Sequence, residues 1–298
     1  MRWHAGLLCA LLAGPPVLVA DIELTQADGT ALILPAAAQS LVTLSPHLAE
    51  LAFAAGAGKR LLATVEYSEY PPTAAELLRV GDAFRLDVER IVALRPDLVI
   101  AWESGNPQAA LEQLERLGLR VWYVEIREPA QIAAVIDSIG RAVGDTRVAA
   151  QAAAVLRTRL RALSERYRGA RELRYFYQVA ARPLFTINGE HLISKGLALC
   201  GGVNIFERES GLAFPVTHEA VIGADPEAIF APSLDNQAAP LDEWLSWPGM
   251  QAVRNEALFL LPADEISRAT PRWLDSTEQA CSLMQGLRER SDDGQQPD

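Results

Sequence analysis

The sequence lacks most of what an enzyme or a metal carrier needs. It contains no Gly-x-Ser-x-Gly motif of the kind that presents a hydrolase nucleophile, and no glycine-rich phosphate loop. It has only four histidines, and the three beyond residue 20 (His47, His191 and His218) include no pair four residues apart, as a zinc-binding helix would require. We therefore predict no catalysis, no metal site and no resident cofactor, with an exported α/β hydrolase as a remote alternative.

Basic residues are also scarce. The chain carries 27 Lys and Arg against 38 Asp and Glu, a net charge of −11, which makes it a poor partner for nucleic acid or an anionic membrane. Half of the residues are hydrophobic and 22% are charged, proportions that are typical of a folded protein with a sizeable core. The length of 298 residues corresponds to about two domains of roughly 150 residues each.

Only the N-terminus holds a long apolar run. Arg2 precedes a short apolar segment that ends in small residues at Ala20, which is typical of a cleavable signal peptide. The alternative of a membrane anchor is disfavoured because Pro15 and Pro16 interrupt the run, which falls short of the ~20 residues that a spanning helix needs. Cys9 lies too close to Met1 for a lipoprotein site. We expect export, with residues 1–20 removed.

Cysteine is rare, and its count is informative. Beyond the predicted signal peptide only Cys200 and Cys281 remain, an even number in an oxidising compartment. A disulfide between them is the favoured hypothesis, and two buried free thiols are the alternative.

One pattern occurs twice. In residues 89–101 and again in residues 219–231, a Glu precedes a Pro by seven residues, an acidic residue follows the Pro, and an apolar run ends in Ala. The first part predicts a short helix that stops before the proline, and the apolar run predicts a strand buried on both faces of a parallel sheet. Two copies 130 residues apart indicate two similar α/β lobes.

A helical pattern separates the two copies. It runs from residue 129 to residue 168 with interruptions only at Gly140 and Gly144, and residues 145–168 alone predict a helix of about 36 Å. We interpret it as a rigid bridge between the lobes, although an ordinary helix on one lobe would show the same pattern. The predicted organisation is a signal peptide (1–20), an N-terminal α/β lobe (21–128), a bridging helical segment (129–169), a C-terminal α/β lobe (170–290) and a disordered tail (291–298).

Aromatic residues are concentrated in loops next to predicted strands. These residues are Tyr67, Tyr70, Phe84, Trp102, Phe185 and Phe214. In open α/β sheets, ligands bind beyond the carboxyl ends of the strands, and aromatic walls suit a large, flat, partly apolar ligand. Asp264 and Arg268 add polar groups at the edge of the same predicted cleft. Core packing is the alternative for any single aromatic residue, and a capping or packing role is the simpler interpretation of His47.

The repeated glutamates, Glu89 and Glu219, each open a short helix. A carboxylate there is favoured by the helix dipole, so capping is the simpler interpretation. Because one occurs in each lobe, they also predict a two-point docking surface for basic residues of a two-fold symmetric partner.

Four stretches together resemble the periplasmic cobalamin (vitamin B12) binding proteins, members of the helical-backbone class of periplasmic binding proteins. They are residues 45–56 (SPHLAELAFAAG), 67–72 (YSEYPP), 86–102 (LDVERIVALRPDLVIAW) and 200–206 (CGGVNIF). The similarity extends over about residues 40–288. It implies two Rossmann-like lobes with central parallel sheets, joined by one long rigid helix, with the ligand cleft between the lobes.

The resemblance also implies roles for individual residues. The expected ligand is cobalamin or a related corrinoid, carried as cargo by a monomeric protein and delivered to the permease dimer of an ABC transporter. Tyr67, Asp264 and Arg268 match ligand-binding residues of the family, and the loop aromatics Phe84, Trp102, Phe185 and Phe214 are expected to complete the site. Glu89 and Glu219 match the transporter-docking glutamates, and Cys200 and Cys281 match the disulfide of the family.

The chain departs from the family pattern in three places. Ala83 beside Phe84 stands where a tryptophan is expected, the spacing from Phe214 to Glu219 is one residue short, and the predicted hairpin at 21–38 is more similar to haem- and siderophore-binding members. Haem or an iron siderophore, with Tyr67 or His47 as axial ligand, is therefore the alternative cargo.

Overall fold

The computed structural model describes residues 21–233 and 241–293, so the predicted signal peptide lies outside the described residues. The first lobe contains β1 (Ile22–Thr25), β2 (Ala31–Leu34), β3 (Leu41–Thr43), α1 (Pro46–Ala54), β4 (Leu61–Thr64), β5 (Leu78–Arg79), β6 (Gly81–Asp82), β7 (Arg85–Leu86), α2 (Val88–Leu94), β8 (Leu98–Trp102), α3 (Gln108–Arg116) and β9 (Val121–Val124). Two single 3₁₀ turns, Gly58–Arg60 and Pro72–Glu76, flank β4.

The helices α4 (Pro129–Ala142) and α5 (Thr146–Arg166) follow. The second lobe contains β10 (Leu173–Tyr177), β11 (Ala180–Ala181), β12 (Leu184–Ile187), α6 (Leu192–Ala198), β13 (Gly202–Asn204), β14 (Ala213–Pro215), α7 (His218–Ala224), β15 (Ala228–Ser233), α8 (Gln251–Arg254), β16 (Leu258–Pro262), α9 (Ala263–Ile266) and α10 (Pro271–Asp293). A 3₁₀ turn, Asp242–Ser246, precedes α8.

Each lobe is built on a parallel sheet. The strand order is β5-β4-β3-β8-β9 in the first lobe and β13-β10-β15-β16 in the second, and every pair in both sheets is parallel. A second, antiparallel sheet of three short strands, β11-β12-β14, belongs to the second lobe. The prediction of two α/β lobes with central parallel sheets is confirmed.

The repeated pattern forms the same structure twice. Helices α2 and α7 are each seven residues long, and each begins at a side-chain cap: Asp87 accepts a hydrogen bond from the Arg90 N–H, and Thr217 from the Ala220 N–H. Each ends at a residue in the left-handed region immediately before its proline, Arg95 (φ 48°) or Asp225 (φ 45°).

The acid after each proline anchors the neighbouring strand. The Asp97 carboxylate accepts hydrogen bonds from the N–H groups of Gln39 and Ser40, just before β3. The Glu227 carboxylate accepts one from the Arg174 N–H in β10 and pairs with Arg171 at 2.8 Å. The two halves of the repeat therefore match in hydrogen bonding as well as in sequence.

The bridging segment consists of two helices, α4 and α5, which are separated at the predicted interruption at Gly144. Gly144, with φ at +70°, forms the turn between α4 and α5, a conformation that favours glycine. At Gly140 an added Cβ would lie 2.4 Å from the Ala149 Cβ, so the absence of a side chain lets the two helices pack closely. The 21-residue α5 is the predicted long helix, and its length is about 31 Å.

The hydrophobic core is continuous between the lobes. One cluster of buried side chains includes Leu41 of the first lobe, Ile136 and Leu156 of the bridging helices, and Tyr175 of the second lobe. Two smaller clusters cover the other faces of the two sheets. Because the lobes share a core through α4 and α5, large rotations of one lobe against the other would expose apolar surface.

Two features concern the end of the chain. Cys200, after α6, and Cys281, in α10, form a disulfide, as predicted. The predicted tail begins too early, because α10 continues to Asp293. Its last turns are held by the buried Leu287, whose carbonyl accepts a hydrogen bond from the Ser291 hydroxyl.

None of the helices in residues 21–233 and 241–293 combines the length and apolar character of a membrane span.

Candidate functional site

A cavity of about 260 Å³ lies between the lobes. The first lobe lines it through segments that follow the carboxyl ends of β3, β8 and β9, which is the edge at which open α/β sheets bind ligands. The second lobe contributes the start of α6, the loop before β14 and the segment after α9. The lining residues are Pro46, His47, Trp102, Ser104, Glu125, Ile126, Arg127, Glu190, His191, Leu192, Leu212, Ser267, Arg268 and Ala269.

Two of the seven predicted ligand residues, Trp102 and Arg268, line this cavity, and they face it from opposite lobes. The other five do not line the cavity within the part of the chain that the structure describes. They are Tyr67, Phe84, Phe185, Phe214 and Asp264. Sequence reasoning assigns no ligand contact to residues 125–127 and 190–192. The rule that ligands meet the carboxyl ends of parallel strands, applied to β9, would have indicated the first of these segments.

Trp102 is held in place by contacts with His47 and Gly105. Its indole meets the His47 imidazole edge to face, with 5.3 Å between the ring centroids. The indole also lies against Gly105, where an added Cβ would be 2.0 Å from the indole Cε3 atom. Only glycine at position 105 therefore leaves room for the ring.

Asn106 connects three loops of the first lobe. Its side-chain oxygen accepts a hydrogen bond from the Trp102 N–H at 2.7 Å, and its amide nitrogen donates to the carbonyls of Leu44 and Ala83 at 2.8 and 2.9 Å. The side chain is buried, so these bonds are shielded from water. Asn106 thus fixes Trp102 relative to the turn that carries Phe84.

Tyr67 and Phe84 are exposed aromatic side chains on neighbouring loops. Tyr67 is 69% exposed and Phe84 is 72% exposed, and the Glu66 N–H donates to the Gly81 carbonyl, which links the two loops. Tyr67 also has φ at +64°, a left-handed conformation that is unfavourable for an aromatic residue. An exposed and strained tyrosine contributes nothing to the core, which favours a role in binding.

Phe185 and Phe214 lie on opposite faces of the small antiparallel sheet. Phe185 pairs with Pro215 and Thr186 pairs with Phe214, so the two phenylalanine rings project in opposite directions. The Phe214 ring packs edge to face against Phe206, with centroids 6.1 Å apart. The sheet therefore cannot present both rings to one ligand on the same face.

Asp264 and Arg268 follow the carboxyl end of β16 and form an ion pair at 2.8 Å. Arg268 also lies 3.6 Å from Glu50 of α1, in the first lobe. The Glu50 carboxylate accepts two hydrogen bonds from Arg272, from Nε at 3.0 Å and from Nη2 at 2.6 Å. A buried carboxylate of the first lobe is thus surrounded by two guanidinium groups of the second.

Two histidines from opposite lobes line the cavity. Burial lowers the pKa of His47 to about 4, with a further contribution from the positive charge of Arg268. Burial also lowers the pKa of His191 to about 4, and its Nδ1 accepts a hydrogen bond from the Ile193 N–H at the start of α6. Both rings are therefore neutral at pH 7. Sequence reasoning does not place His191 in the cleft.

Glu89 and Glu219 are exposed and occupy the same position, the second residue of α2 and of α7. Hydrogen bonds from its own backbone N–H and from Thr217 lower the pKa of Glu219. Each lobe thus presents one carboxylate to solvent at an equivalent site.

The profile of the periplasmic binding proteins matches residues 41–265. The chain belongs to this family. This periplasmic binding protein is 37% identical to the vitamin B12-binding protein of Vibrio cholerae over 252 residues, which cover 84% of this chain and 90% of that protein. It is also 37% identical to the vitamin B12-binding protein of Yersinia pestis over 258 residues, 86% of this chain and 90% of that protein.

Solved structures agree with this assignment. The crystal structure of the periplasmic vitamin B12 binding protein BtuF of Vibrio cholerae superposes with a TM-score of 0.79 at 36% identity, covering 84% of this chain and 98% of that one. The periplasmic heme-binding protein RhuT from Roseiflexus sp. RS-1 superposes with a TM-score of 0.74 at 19% identity, covering 84% and 98%, which shows a shared fold.

Proposed function

We propose that this protein is the substrate-binding component of an ABC importer and that its ligand is cobalamin or a related corrinoid. The observation that carries the proposal is the cavity between the lobes, with Trp102 on one side and Arg268 on the other. The names of its relatives at 36–37% identity support the choice of ligand.

The chemistry of a corrinoid matches the residues around the cavity. A corrin ring has broad apolar faces and a periphery of amide side chains. Aromatic rings suit such faces, whereas a carboxylate and a guanidinium can bond amide N–H and C=O groups. Because the cavity is smaller than a corrinoid, the ligand would extend from Trp102 to the exposed rings of Tyr67 and Phe84.

The second lobe would supply the remaining contacts. Asp264 and Arg268 are the candidates for hydrogen bonds to the amide periphery, and one of Phe185 and Phe214 is the candidate for an apolar contact. Because the two lobes share a core, we expect small closure on ligand binding rather than a wide hinge motion.

Export and delivery complete the proposal. Residues 1–20 would act as a cleavable signal peptide, and the mature protein would work in the periplasm as a monomer, without a cofactor of its own. Glu89 and Glu219 would dock on basic residues of the permease dimer. Their exposure and equivalent positions on α2 and α7 support this role.

Titration of purified protein with cyanocobalamin and with haemin, followed by absorbance spectroscopy and calorimetry, tests the ligand. We expect cyanocobalamin to bind with a dissociation constant in the micromolar range or below. Trp102→Ala should weaken binding at least tenfold, and Leu245→Ala, at a side chain that is 57% exposed on the second lobe, should leave it unchanged.

Haem is the second candidate because one observation favours it. The neutral His47 imidazole lines the cavity, and neutral imidazole is the form that ligates iron. Micromolar or tighter binding of haemin, a Soret shift that is lost in His47→Asn, and no binding of cyanocobalamin would replace the corrinoid assignment.

A further inference from the structure

Glu50 is a buried carboxylate at the boundary of the two lobes. Its side chain is 3% exposed, and the guanidinium groups of Arg268 and Arg272, which lie beside it, both belong to the second lobe. We propose that Glu50 is a positioning residue for ligand binding. It clasps Arg272 of the second lobe and thereby fixes the width of the cleft.

The geometry of the pair is that of a strong interaction. Glu50 lies in α1 and Arg272 at the start of α10, and both carboxylate oxygens accept hydrogen bonds from one guanidinium fork, at 3.0 and 2.6 Å. The Arg272 side chain is itself only 18% exposed. Bidentate pairs restrict orientation as well as distance, and a shielded pair is screened little by salt.

The ion pair of Glu50 and Arg272, which we call the clasp, contacts residues on both sides of the ligand site. The Arg272 guanidinium lies over the ring of Tyr70, 3.9 Å from its centroid, and Tyr70 belongs to the same loop as Tyr67. Arg268, which lines the cavity, shares the Glu50 carboxylate at 3.6 Å. The Glu50 carboxylate therefore links two loops, the one that carries Tyr67 and Tyr70 in the first lobe and the one that carries Arg268 in the second. It keeps them at a fixed separation.

A second ion pair between the lobes is less suited to this task. Lys195 of α6 pairs with Glu128 at the start of α4, but the Glu128 side chain is 55% exposed. Exposed pairs between flexible side chains contribute little and are screened by salt. Of these two ion pairs, the one between Glu50 and Arg272 is therefore better suited to set the position of one lobe relative to the other at the cleft.

The experiment measures the separation of the lobes in the ligand-free protein. Spin labels at Q113C in the first lobe and L245C in the second, both exposed positions, report the distribution of interlobe distances. We expect Glu50→Gln and Arg272→Gln to broaden this distribution. The double variant should be no broader than either single variant, because the two residues act as a unit.

A matched control lies on α10. Glu278 forms a bidentate pair with Arg159 of α5, at 3.3 and 2.7 Å, but it lies outside the cavity wall. Glu278→Gln should leave the distances unchanged. If Glu50→Gln does not fold, Arg272→Lys, which keeps the charge but loses the fork, should give the same broadening.

Ligand affinity is the second measurement, and it rests on the proposed function. Glu50→Gln should weaken cyanocobalamin binding at least fivefold, and Glu278→Gln less than twofold. If the wild type binds no corrinoid, the proposed function fails while the distance measurement still tests the clasp. Unchanged distances in Glu50→Gln, or equal effects of Glu50→Gln and Glu278→Gln, would overturn the clasp.

Discussion

His47 and Trp102 meet edge to face across the end of the first sheet, with their ring centroids 5.3 Å apart. They are 55 residues apart in sequence, but His47 follows β3 and Trp102 ends β8, and these two strands are adjacent and parallel. Adjacent parallel strands bring the residues at their carboxyl ends together. The contact forms one wall of the cleft, and both of its members can be tested.

Gly105→Ala should displace the Trp102 indole. The new methyl group would lie 2.0 Å from the ring, so the indole must move. We expect a change in near-ultraviolet circular dichroism and a loss of ligand affinity of about tenfold, equivalent to about 1.4 kcal/mol. Gly249→Ala is the control, because a methyl group added there would have no other atom within 4 Å. Equal affinities of the two variants would contradict a binding role for Trp102.

His47 should make the protein less stable in acid. Its pKa is about 4 in the fold and about 6.5 in an unfolded chain, so between these values the unfolded state binds more protons. The free energy of unfolding therefore keeps its full value above pH 6.5. It decreases by roughly 3 kcal/mol in total as the pH falls from 6.5 towards 4.

His47→Asn should therefore flatten this part of the stability curve, measured by urea unfolding from pH 4 to pH 8. Part of the slope should remain, because burial also lowers the pKa of His191. Above pH 7 the curves of the variant and the wild type should run parallel. An unchanged slope between pH 4 and pH 6.5 would show that His47 is not a buried neutral group.

Reversal of both repeated charges should separate ligand binding from transport. Glu89→Lys together with Glu219→Lys removes the two exposed carboxylates, and neither residue lines the cavity. We expect unchanged cyanocobalamin affinity and at least a tenfold loss of uptake in vesicles that contain the cognate permease. Glu23→Lys with Glu256→Lys, at other exposed positions in the two lobes, should leave uptake unchanged. Equal uptake by both double variants would refute the docking role.

Loss of the disulfide should lower the free energy of unfolding. The Cys200–Cys281 bond closes a loop of 81 residues, which in the chain-entropy model contributes about 4 kcal/mol. Cys200→Ala with Cys281→Ala should lose much of this stability in urea titrations. Reductant should lower the stability of the wild type and leave the double variant unaffected. If reductant lowered the stability of the wild type and of the double variant equally, the disulfide would not be the source of this stability.

Local patterns in the sequence predict much of the fold. The repeat locates α2, β8, α7 and β15, because a proline after a short amphipathic helix and a continuous apolar run are both local signals. The small sheet of β11, β12 and β14 has no such signal. Its strands are two to four residues long, so the sequence places Phe185 and Phe214 in loops and does not show their opposite orientations.

The candidate site is harder to predict. Trp102 and Arg268 stand out by residue type and by their position after strands, and both line the cavity. Glu50 is the one charged residue in the apolar sequence of α1, and the sequence does not show whether its carboxylate is exposed or paired. The partner, Arg272, is 222 residues away, and only the packing of the two lobes brings them together.

The bond between Glu50 and Arg272 carries an evolutionary consequence. A lineage that lost the arginine alone would leave the buried Glu50 carboxylate with only the more distant Arg268, at 3.6 Å, and one that lost the glutamate alone would leave the Arg272 guanidinium with only Glu265, at 3.8 Å. Positions 50 and 272 should therefore covary in an alignment of this family, changing together or not at all.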